Sequence, residues 1–224
     1  ALEAAWNVRI DGFSDLLAAV DGILDRVEAM GVRIFKNGLA YARPLLFPET
    51  GREEAERAYP GFGPALHDYL MHHVLRRIDR DGVVLQIHTG LQEGNGNDLR
   101  YTHPEHLLNQ FHLYRNLKFD IFHMGYPYQD SLAALVKMFP NVYLDLCWTH
   151  IITPRLTRRF LAETLESVPA NKISAFGGDY CFADGVPGHL DIARENLGRS
   201  CWTRWTTGSW TGRGPCPWPA VCCS

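Results

Sequence analysis

Four side chains with metal-ligand or acid–base chemistry stand where short apolar runs of the sequence end. They are Lys36 after "VRIF", His88 after "VVLQI", His123 after "FDIF" and Asp179 after "ISAFGG". Two imidazoles and a carboxylate that meet in a cleft can hold Zn²⁺ or a similar divalent ion. The same groups can also form a metal-free acid–base site. A single His at a strand end is usually a hydrogen-bonded structural residue, and it is the repetition at several strand ends that favours a functional site.

The apolar runs alternate with amphipathic helical patterns. One helix is predicted over residues 14–30, with Ser14 as N-cap and Gly31 as C-cap, and others over about 65–81, 129–139 and 154–166 and after Pro104. Strand and helix alternate five times, which implies parallel strands joined by helical crossovers. Neither G-x-G-x-x-G nor G-x-x-x-x-G-K-S/T occurs, so the pattern favours an α/β barrel over an open nucleotide-binding sheet. In a barrel the carboxyl ends of all strands meet at one mouth, where the four side chains would converge.

The composition excludes several classes of protein. The chain has 224 residues, 46% of them hydrophobic and 21% charged, with a formal net charge of -3, which is typical of a globular protein. It has no cluster of Lys and Arg, so we expect no nucleic-acid partner, and no run of the ~18 to 20 apolar residues that a membrane span needs. The start at Ala1 lacks the layout of a signal peptide. We expect a cytoplasmic protein whose partner is a small-molecule substrate, with unpaired strand edges that could support a homo-oligomer.

The last 25 residues differ from the rest of the chain. Residues 200–224 contain four of the six Cys and four of the six Trp but no Asp, Glu or Lys, and they show no helical or strand period. A disulfide or metal-binding tail would explain the cysteines, although no Cys-x-x-Cys spacing is present. We therefore predict one domain over residues 1–199 and an atypical tail over 200–224 that stands outside the fold and arises from a change of reading frame.

Four stretches of the sequence resemble a known family. "LQIHTG", "FHMGYP", "FPNVYLDLCW" and "KISAFGGDY" are similar to the amidohydrolase superfamily, in its amidohydrolase-2 branch of metal-dependent TIM-barrel hydrolases, which includes uronate isomerase-like proteins. The resemblance covers roughly residues 30–195. It implies a (β/α)8 barrel with a divalent metal, zinc being the expected ion, and a metal-activated water that attacks an amide, ester or lactone, or performs a related decarboxylation.

The resemblance also implies roles for individual residues. His88 would be a metal ligand, and His123 a second ligand or a substrate contact. Asp179 would bind the metal and transfer the proton, and Lys36 could be carboxylated to bridge two metals.

Three further residues are candidates for substrate binding. Arg43, in "AYARPL", could hold a substrate carboxylate with its bidentate guanidinium, although an Arg in an ordinary salt bridge would look the same in the sequence. Trp148 and His150 follow "VYLDL", where the next loop would line the pocket, but Trp148 could equally be a packing residue.

One departure from the family pattern is large. The family opens with a His-x-His pair, and none of the ten His here stand two apart. The chain also shows five strand units where the fold has eight, and residues 1–199 are fewer than the ~250 usual for the fold. We therefore predict an incomplete barrel with about strands four to eight, which by itself is inactive. Two alternatives to hydrolysis stay open: a uronate isomerase-like aldose–ketose isomerase, for which Arg43 is the evident carboxylate anchor, and a fragment with no function of its own.

Overall fold

A computed structural model describes Glu3 and residues 6–206, with side chains as far as Cys201. Five strands lie in this part of the chain: β1 (Ile34–Asn37), β2 (Val84–Ile87), β3 (Lys118–Ile121), β4 (Val142–Asp145) and β5 (Ile173–Ser174). The helices are α1 (Phe13–Ala29), α2 (Arg52–Ala58), α3 (Pro64–Asp81), α4 (Leu108–Leu113), α5 (Gln129–Met138), α6 (Thr149–Ile152), α7 (Pro154–Thr164) and α8 (Gly185–Thr206). Short 3-10 turns occupy Leu39–Tyr41, Tyr59–Gly61, Leu99–Thr102, Pro104–Leu107, Phe122–Gly125 and Ala170–Lys172.

The strands form one parallel sheet in the order β1-β2-β3-β4-β5. Each strand pairs with the next along the chain, so the sheet always advances in one direction. A doubly wound open sheet would instead reverse its strand order at a switch point. The predicted α/β class with parallel strands and helical crossovers is therefore confirmed, and the strand order is that of a barrel segment.

The two faces of the sheet differ in chemistry because side chains alternate along each strand. One row of paired residues is apolar and packs into the main core under the helices: Phe35, Leu85, Phe119 and Val142. The adjacent row lies on the opposite face and is largely polar: Lys36, Gln86, Asp120 and Tyr143. The sheet thus presents a polar inner face, and Lys36 belongs to it.

The first helix differs in detail from its prediction. Gly12, in an extended conformation, precedes α1, and Ser14 makes no capping bond, so the prediction of Ser14 as N-cap was wrong. The Ser14 hydroxyl instead accepts a hydrogen bond from Arg52, at 3.3 Å. At the other end the cap is Met30, and Gly31, with φ +82, lies one residue beyond it.

The final helix crosses the boundary that the sequence suggested between residues 199 and 200. Helix α8 continues to Thr206, and Ser200 within it is buried and donates hydrogen bonds to the carbonyls of Arg158 and Asn196. Residues 200–206 therefore continue the helix. The rest of the predicted tail, residues 207–224, lies outside the described residues.

Among the described residues, no helix is both long enough and apolar enough to cross a membrane.

Candidate metal centre

The structure brings the four strand-terminal side chains together at one end of the sheet. Nε2 of His123 lies 3.0 Å from Nδ1 of His88 and 3.9 Å from a carboxylate oxygen of Asp179. The ammonium of Lys36 lies 3.4 Å from both oxygens of Asp179 and 3.6 Å above the ring of Phe122. Residues separated by as many as 143 positions in the chain thus form one cluster.

Backbone turns direct these side chains inward. His88 directly follows β2 and continues the alternation that places Lys36 and Gln86 on the polar face. The same alternation would direct His123 to the helix-covered face, but the chain turns at His123 (φ 64) and Met124 (φ 58). Asp179 also has a positive φ, of 47°, and so does Trp148, of 64°. Such conformations are costly for residues other than Gly and often occur at functional sites.

Two backbone carbonyls determine which nitrogen of each histidine ring carries the proton. Nδ1 of His123 lies 3.0 Å from the carbonyl of Cys147, and Nε2 of His88 lies 3.1 Å from the carbonyl of Leu91. A carbonyl only accepts hydrogen bonds, so each of these nitrogens carries the ring proton in the neutral form. The other two nitrogens, Nε2 of His123 and Nδ1 of His88, are then unprotonated and face each other at 3.0 Å. Two lone pairs at this distance repel unless a cation lies between them.

The surroundings disfavour a proton as that cation. Burial, together with the neighbouring His123 and Lys36, lowers the pKa of His88 to about 4. Burial also lowers the pKa of His123. Both rings are therefore neutral at pH 7, which is the form that binds metals. At bond lengths of ~2.0 to 2.1 Å per nitrogen, both can reach one ion across their 3.0 Å separation. The residues present fit a divalent metal.

Asp179 supplies a carboxylate beside these nitrogens. It is held at two points: Lys36 pairs with its side chain, and the indole Nε1 of Trp148 donates a hydrogen bond to its carbonyl at 3.2 Å. The side chain is 40% exposed, whereas that of His123 is 5% exposed. Asp179 therefore stands between the buried imidazoles and the solvent, where a proton-transfer group can reach both a substrate and water.

Gly90 makes the close approach of the two histidine loops possible. A Cβ at this position would lie 2.2 Å from the carbonyl oxygen of Tyr126, and its φ of +70° is one that other residues rarely adopt. The next residue, Leu91, donates its N–H to that same Tyr126 oxygen at 2.6 Å and accepts the proton of His88. The absent side chain of Gly90 thus allows the loop after β2 to pack against the loop after β3 and to orient His88.

A cavity of about 440 Å³ opens above the cluster. His88, His123 and Asp179 line its floor. Its walls combine aromatic and polar side chains: Tyr41, Gln92, Glu93, Trp148, Tyr180 and Phe182. This volume lies within the ~300 to 1,000 Å³ range of small-molecule sites. Trp148, a predicted pocket residue, does line the cavity.

Arg43 is not brought to this cavity. Its guanidinium donates to a carboxylate oxygen of Asp68 at 2.6 Å and to the carbonyl of Leu46 at 3.0 Å, and it stacks over the ring of Phe47. Asp68 is buried, at 6% exposure, so its charge requires this partner. The structure therefore places Arg43 in a structural ion pair, where it does not meet a ligand in the cavity.

His150 is also placed elsewhere. It is fully buried, its Nε2 donates to the carbonyl of Ala175 at 2.8 Å, and Asn196 of α8 donates to its carbonyl at 3.2 Å. These bonds tie α6 to the segment that follows β5 and to α8. His150 does not line the cavity and acts in packing instead of substrate contact.

Several site residues were missed by the sequence analysis. Tyr41 packs its ring 4.7 Å from that of His88, and its hydroxyl accepts the N–H of Glu93 at 3.1 Å. Gln92 is buried and donates to the carbonyl of Ala40, 52 positions earlier. These residues lie in loops, where no periodic pattern marks a function. The signal that could have found them is their position, since each lies within five residues of the end of a strand.

The buried Asp145 and the half-buried Asp120 lie beneath the cluster on the polar face. Burial, together with the charge of Asp120, raises the pKa of Asp145 to about 7. Asp145 accepts the N–H of Cys147 at 2.6 Å, and Asp120 accepts a hydrogen bond from Gln86 at 3.2 Å. Burial raises the pKa of Asp120 as well. Asp145 thus orients the segment that carries the acceptor for His123.

Comparison with protein families matches residues 15–197 to the family described as amidohydrolase. Among curated proteins, the chain is similar to protein fluG of Emericella nidulans, with 26% identity over 77% of this chain and 22% of that protein. The chain thus spans about a fifth of the length of this relative.

Among solved structures, the chain is similar to a protein of Lactobacillus casei ATCC 334 assigned as a metal-dependent hydrolase, with a TM-score of 0.75, 21% identity and coverage of 91% of this chain and 56% of that one. It is also similar to a glucuronate isomerase of Caulobacter crescentus, with a TM-score of 0.72, 16% identity and coverage of 94% and 49%. A uronate isomerase of Thermotoga maritima gives a TM-score of 0.69 at 12% identity, with coverage of 94% and 52%. The chain spans about half the length of each. These similarities confirm the fold as an incomplete barrel of TIM type.

Proposed function

Because the chain belongs to the amidohydrolase family, we propose that His88, His123 and Asp179 bind one divalent ion, zinc, and that this site hydrolyses an amide, ester or lactone or performs a related decarboxylation. The observation that carries the proposal is the pair of unprotonated nitrogens that face each other at 3.0 Å between two neutral, buried rings. Imidazole and carboxylate ligands suit zinc.

A bound divalent ion would lower the pKa of a bound water to about 7 and polarise a substrate carbonyl. The protein's part is to transfer the protons. Asp179 is half exposed at the cavity floor, and its carboxylate can accept the proton of an attacking water and pass it to the leaving group. A general acid–base group of this kind typically contributes ~10² to 10⁴ in rate.

The other residues of the cluster would position Asp179 and the ligands. Lys36 pairs with both carboxylate oxygens and Trp148 holds the Asp179 carbonyl, so that the carboxylate has few orientations open to it. An ammonium has no lone pair, so Lys36 would become a ligand itself only after carboxylation of its amine. The carbonyls of Cys147 and Leu91 accept the ring protons of His123 and His88. The nitrogen of each ring that faces the centre therefore stays unprotonated.

The lining of the cavity favours hydrolysis over the isomerisation of a uronate. Within the described residues, neither Lys nor Arg lines the cavity, and Arg43 is engaged by Asp68. A uronate carboxylate would therefore lack the bidentate anchor that an Arg supplies. Aromatic walls with one amide and one carboxylate, from Gln92 and Glu93, suit a weakly charged or apolar substrate with an amide, ester or lactone group.

The test combines metal analysis with a product screen. The purified chain should bind one equivalent of zinc, and His88→Ala and His123→Ala should each reduce the affinity at least about tenfold. The matched control is His112→Ala, which removes an exposed imidazole on α4, before β3 begins, whereas His123 follows the end of β3; this variant should bind zinc as the original chain does. Equal zinc affinity in all four proteins would overturn the proposed site.

The product screen offers amides, esters and lactones in parallel with uronates. Hydrolysis or decarboxylation that requires Asp179 supports the proposal, and interconversion of an aldose and a ketose supports the isomerase instead. The sequence-based prediction that the 224-residue chain is inactive stays a prediction, and the same screen tests it when a chain extended at its amino end is measured beside it.

A further inference from the structure

Cys147 is a buried thiol at the floor of the same cluster. It follows β4 by two residues and is 0% exposed. Its backbone is fixed on both sides, because its N–H binds Asp145 at 2.6 Å and its carbonyl accepts the Nδ1–H of His123 at 3.0 Å. The backbone of Cys147 therefore has a defined place beside the histidine.

The sulfur lies among the candidate metal ligands. One ligand atom each of His123, Cys147 and Asp179 can be chosen so that all three lie within 4.8 Å of one another. His88 is not part of this group of three, and it joins the cluster through the 3.0 Å contact between its Nδ1 and Nε2 of His123. Nε2 of His123 is the ring nitrogen free to act as a ligand, because Nδ1 carries the proton donated to the Cys147 carbonyl. Atoms that share a tetrahedral ion at bond lengths of ~2.0 to 2.3 Å lie roughly 3.3 to 3.8 Å apart, so the three atoms would come closer by up to about 1 to 1.5 Å to share one ion.

Gly177, after β5, closes the other side of the thiol. A Cβ at Gly177 would lie 3.1 Å from the sulfur and 2.9 Å from Cβ of Cys147. Only a residue without a side chain fits there while Cys147 keeps this position. The segment after β5 thus leaves room for the sulfur because Gly177 has no side chain.

Cys147 is fully buried and is not among the residues that line the cavity, so its position does not suit a free nucleophile. Burial raises the pKa of its thiol, and the carboxylates of Asp145 and Asp179 raise it further. A catalytic thiol needs the opposite environment, with exposure and nearby positive charge. A metal ion would supply the missing positive charge, and a coordinating thiol loses its proton to the ion.

We propose that Cys147 is a ligand of the divalent ion, so that the centre is a mixed site of two imidazole nitrogens, one thiolate and one carboxylate. The inference rests on the proposed function, since it requires that a metal binds at His88 and His123. A thiolate ligand biases the site toward zinc and away from magnesium, calcium and manganese, which favour oxygen ligands. The four ligands would be His88, His123, Cys147 and Asp179.

Cobalt(II) provides a direct spectroscopic test, because a cobalt–thiolate bond gives a near-ultraviolet charge-transfer absorption that nitrogen and oxygen ligands do not. The other five cysteines, Cys181, Cys201, Cys216, Cys222 and Cys223, could bind cobalt themselves. The first variant therefore replaces all five by Ser and keeps Cys147 alone. The metal-free form is titrated with Co²⁺, and we expect one equivalent to bind with the charge-transfer band.

The matched pair is Cys147→Ser and Cys181→Ser in the otherwise unchanged chain. Cys181 is an exposed thiol that lines the cavity wall, two residues from Asp179. We expect Cys147→Ser to lose the site's charge-transfer band and at least about tenfold in cobalt affinity, and Cys181→Ser to keep both. If Cys147→Ser fails to fold by circular dichroism, the chain with Cys147 alone decides the question.

The outcomes separate this inference from the proposed function. If the chain with Cys147 alone binds one cobalt without the charge-transfer band, the thiolate ligand is refuted while the metal site stands. If that chain and the unchanged chain both bind no cobalt or zinc at the cluster, the proposed function and the inference both fail.

Discussion

Replacement of Gly90 by Ala should damage both the stability of the fold and the metal centre. The added Cβ would lie 2.2 Å from the Tyr126 carbonyl oxygen, where ordinary contacts begin at 3.4 Å, so the two loops must separate by about 1 Å. That separation breaks the 2.6 Å bond from the Leu91 N–H to the same oxygen. The carbonyl of Leu91 accepts the hydrogen bond from Nε2 of His88, so His88 should lose its orientation toward His123.

The expected loss of stability has two parts. The φ of +70° costs a residue with a side chain about 1 to 2 kcal/mol. The forced contact adds about 1 to 3 kcal/mol, the usual cost of overfilling a packed site. The sum is about 2 to 5 kcal/mol in the free energy of unfolding, and the displaced ligand should lower metal affinity by about 10 to 100-fold.

Gly31→Ala is the matched control. Gly31 has a φ of +82°, but a Cβ there would meet nothing within 4 Å, so this change imposes the backbone strain without the contact. Denaturant unfolding and zinc titration of the two variants separate the effects. We expect about 1 to 2 kcal/mol and an unchanged zinc affinity for Gly31→Ala. Equal losses in both variants, or full zinc affinity in Gly90→Ala, would refute the argument that this loop contact orients His88.

Three further predictions concern charged groups. In a chain extended at its amino end to restore the barrel, Asp179→Asn should lower turnover about 10² to 10⁴-fold with little change in KM, because a proton-transfer group acts in the transition state; unchanged steady-state kinetics at full metal content would make Asp179 structural. Arg43→Met should lower the free energy of unfolding by about 3 to 5 kcal/mol, because it leaves the buried Asp68 unpaired, and should not alter zinc affinity; a raised KM at unchanged stability would instead support substrate binding by Arg43. Asp145 has its folded-state pKa raised from 3.8 to about 7, so the metal-free fold should lose stability as pH rises between these values, by at most about 1.4 kcal/mol per pH unit, and Asp145→Asn should remove this contribution. Unfolding curves of the metal-free proteins across that range measure the difference, and parallel pH profiles with and without the substitution would contradict it.

The sequence by itself determined the fold class and the positions where a site could form. Alternating strand and helix patterns identify five parallel strands, because the two periods, 2 and 3.6, are properties of local backbone geometry. Since parallel strands share one polarity, the residues that end them must come to the same edge. That is why Lys36, His88, His123 and Asp179 could be grouped without a structure.

Only the tertiary structure decided which side chains near those strand ends reach the centre. Arg43 and His150 lie close to strand ends in the sequence, but partners far along the chain, Asp68 and Asn196, hold them elsewhere. In the sequence, Cys147 cannot be distinguished from an ordinary core residue. Its place beside His123 follows from the packing of β4 against β3 and β5. The facing nitrogens of His88 and His123 depend on two backbone carbonyls and on the loop contact at Gly90. Local sequence patterns carry none of this, because hydrogen-bond partners and close contacts arise between segments that only the folded chain brings together.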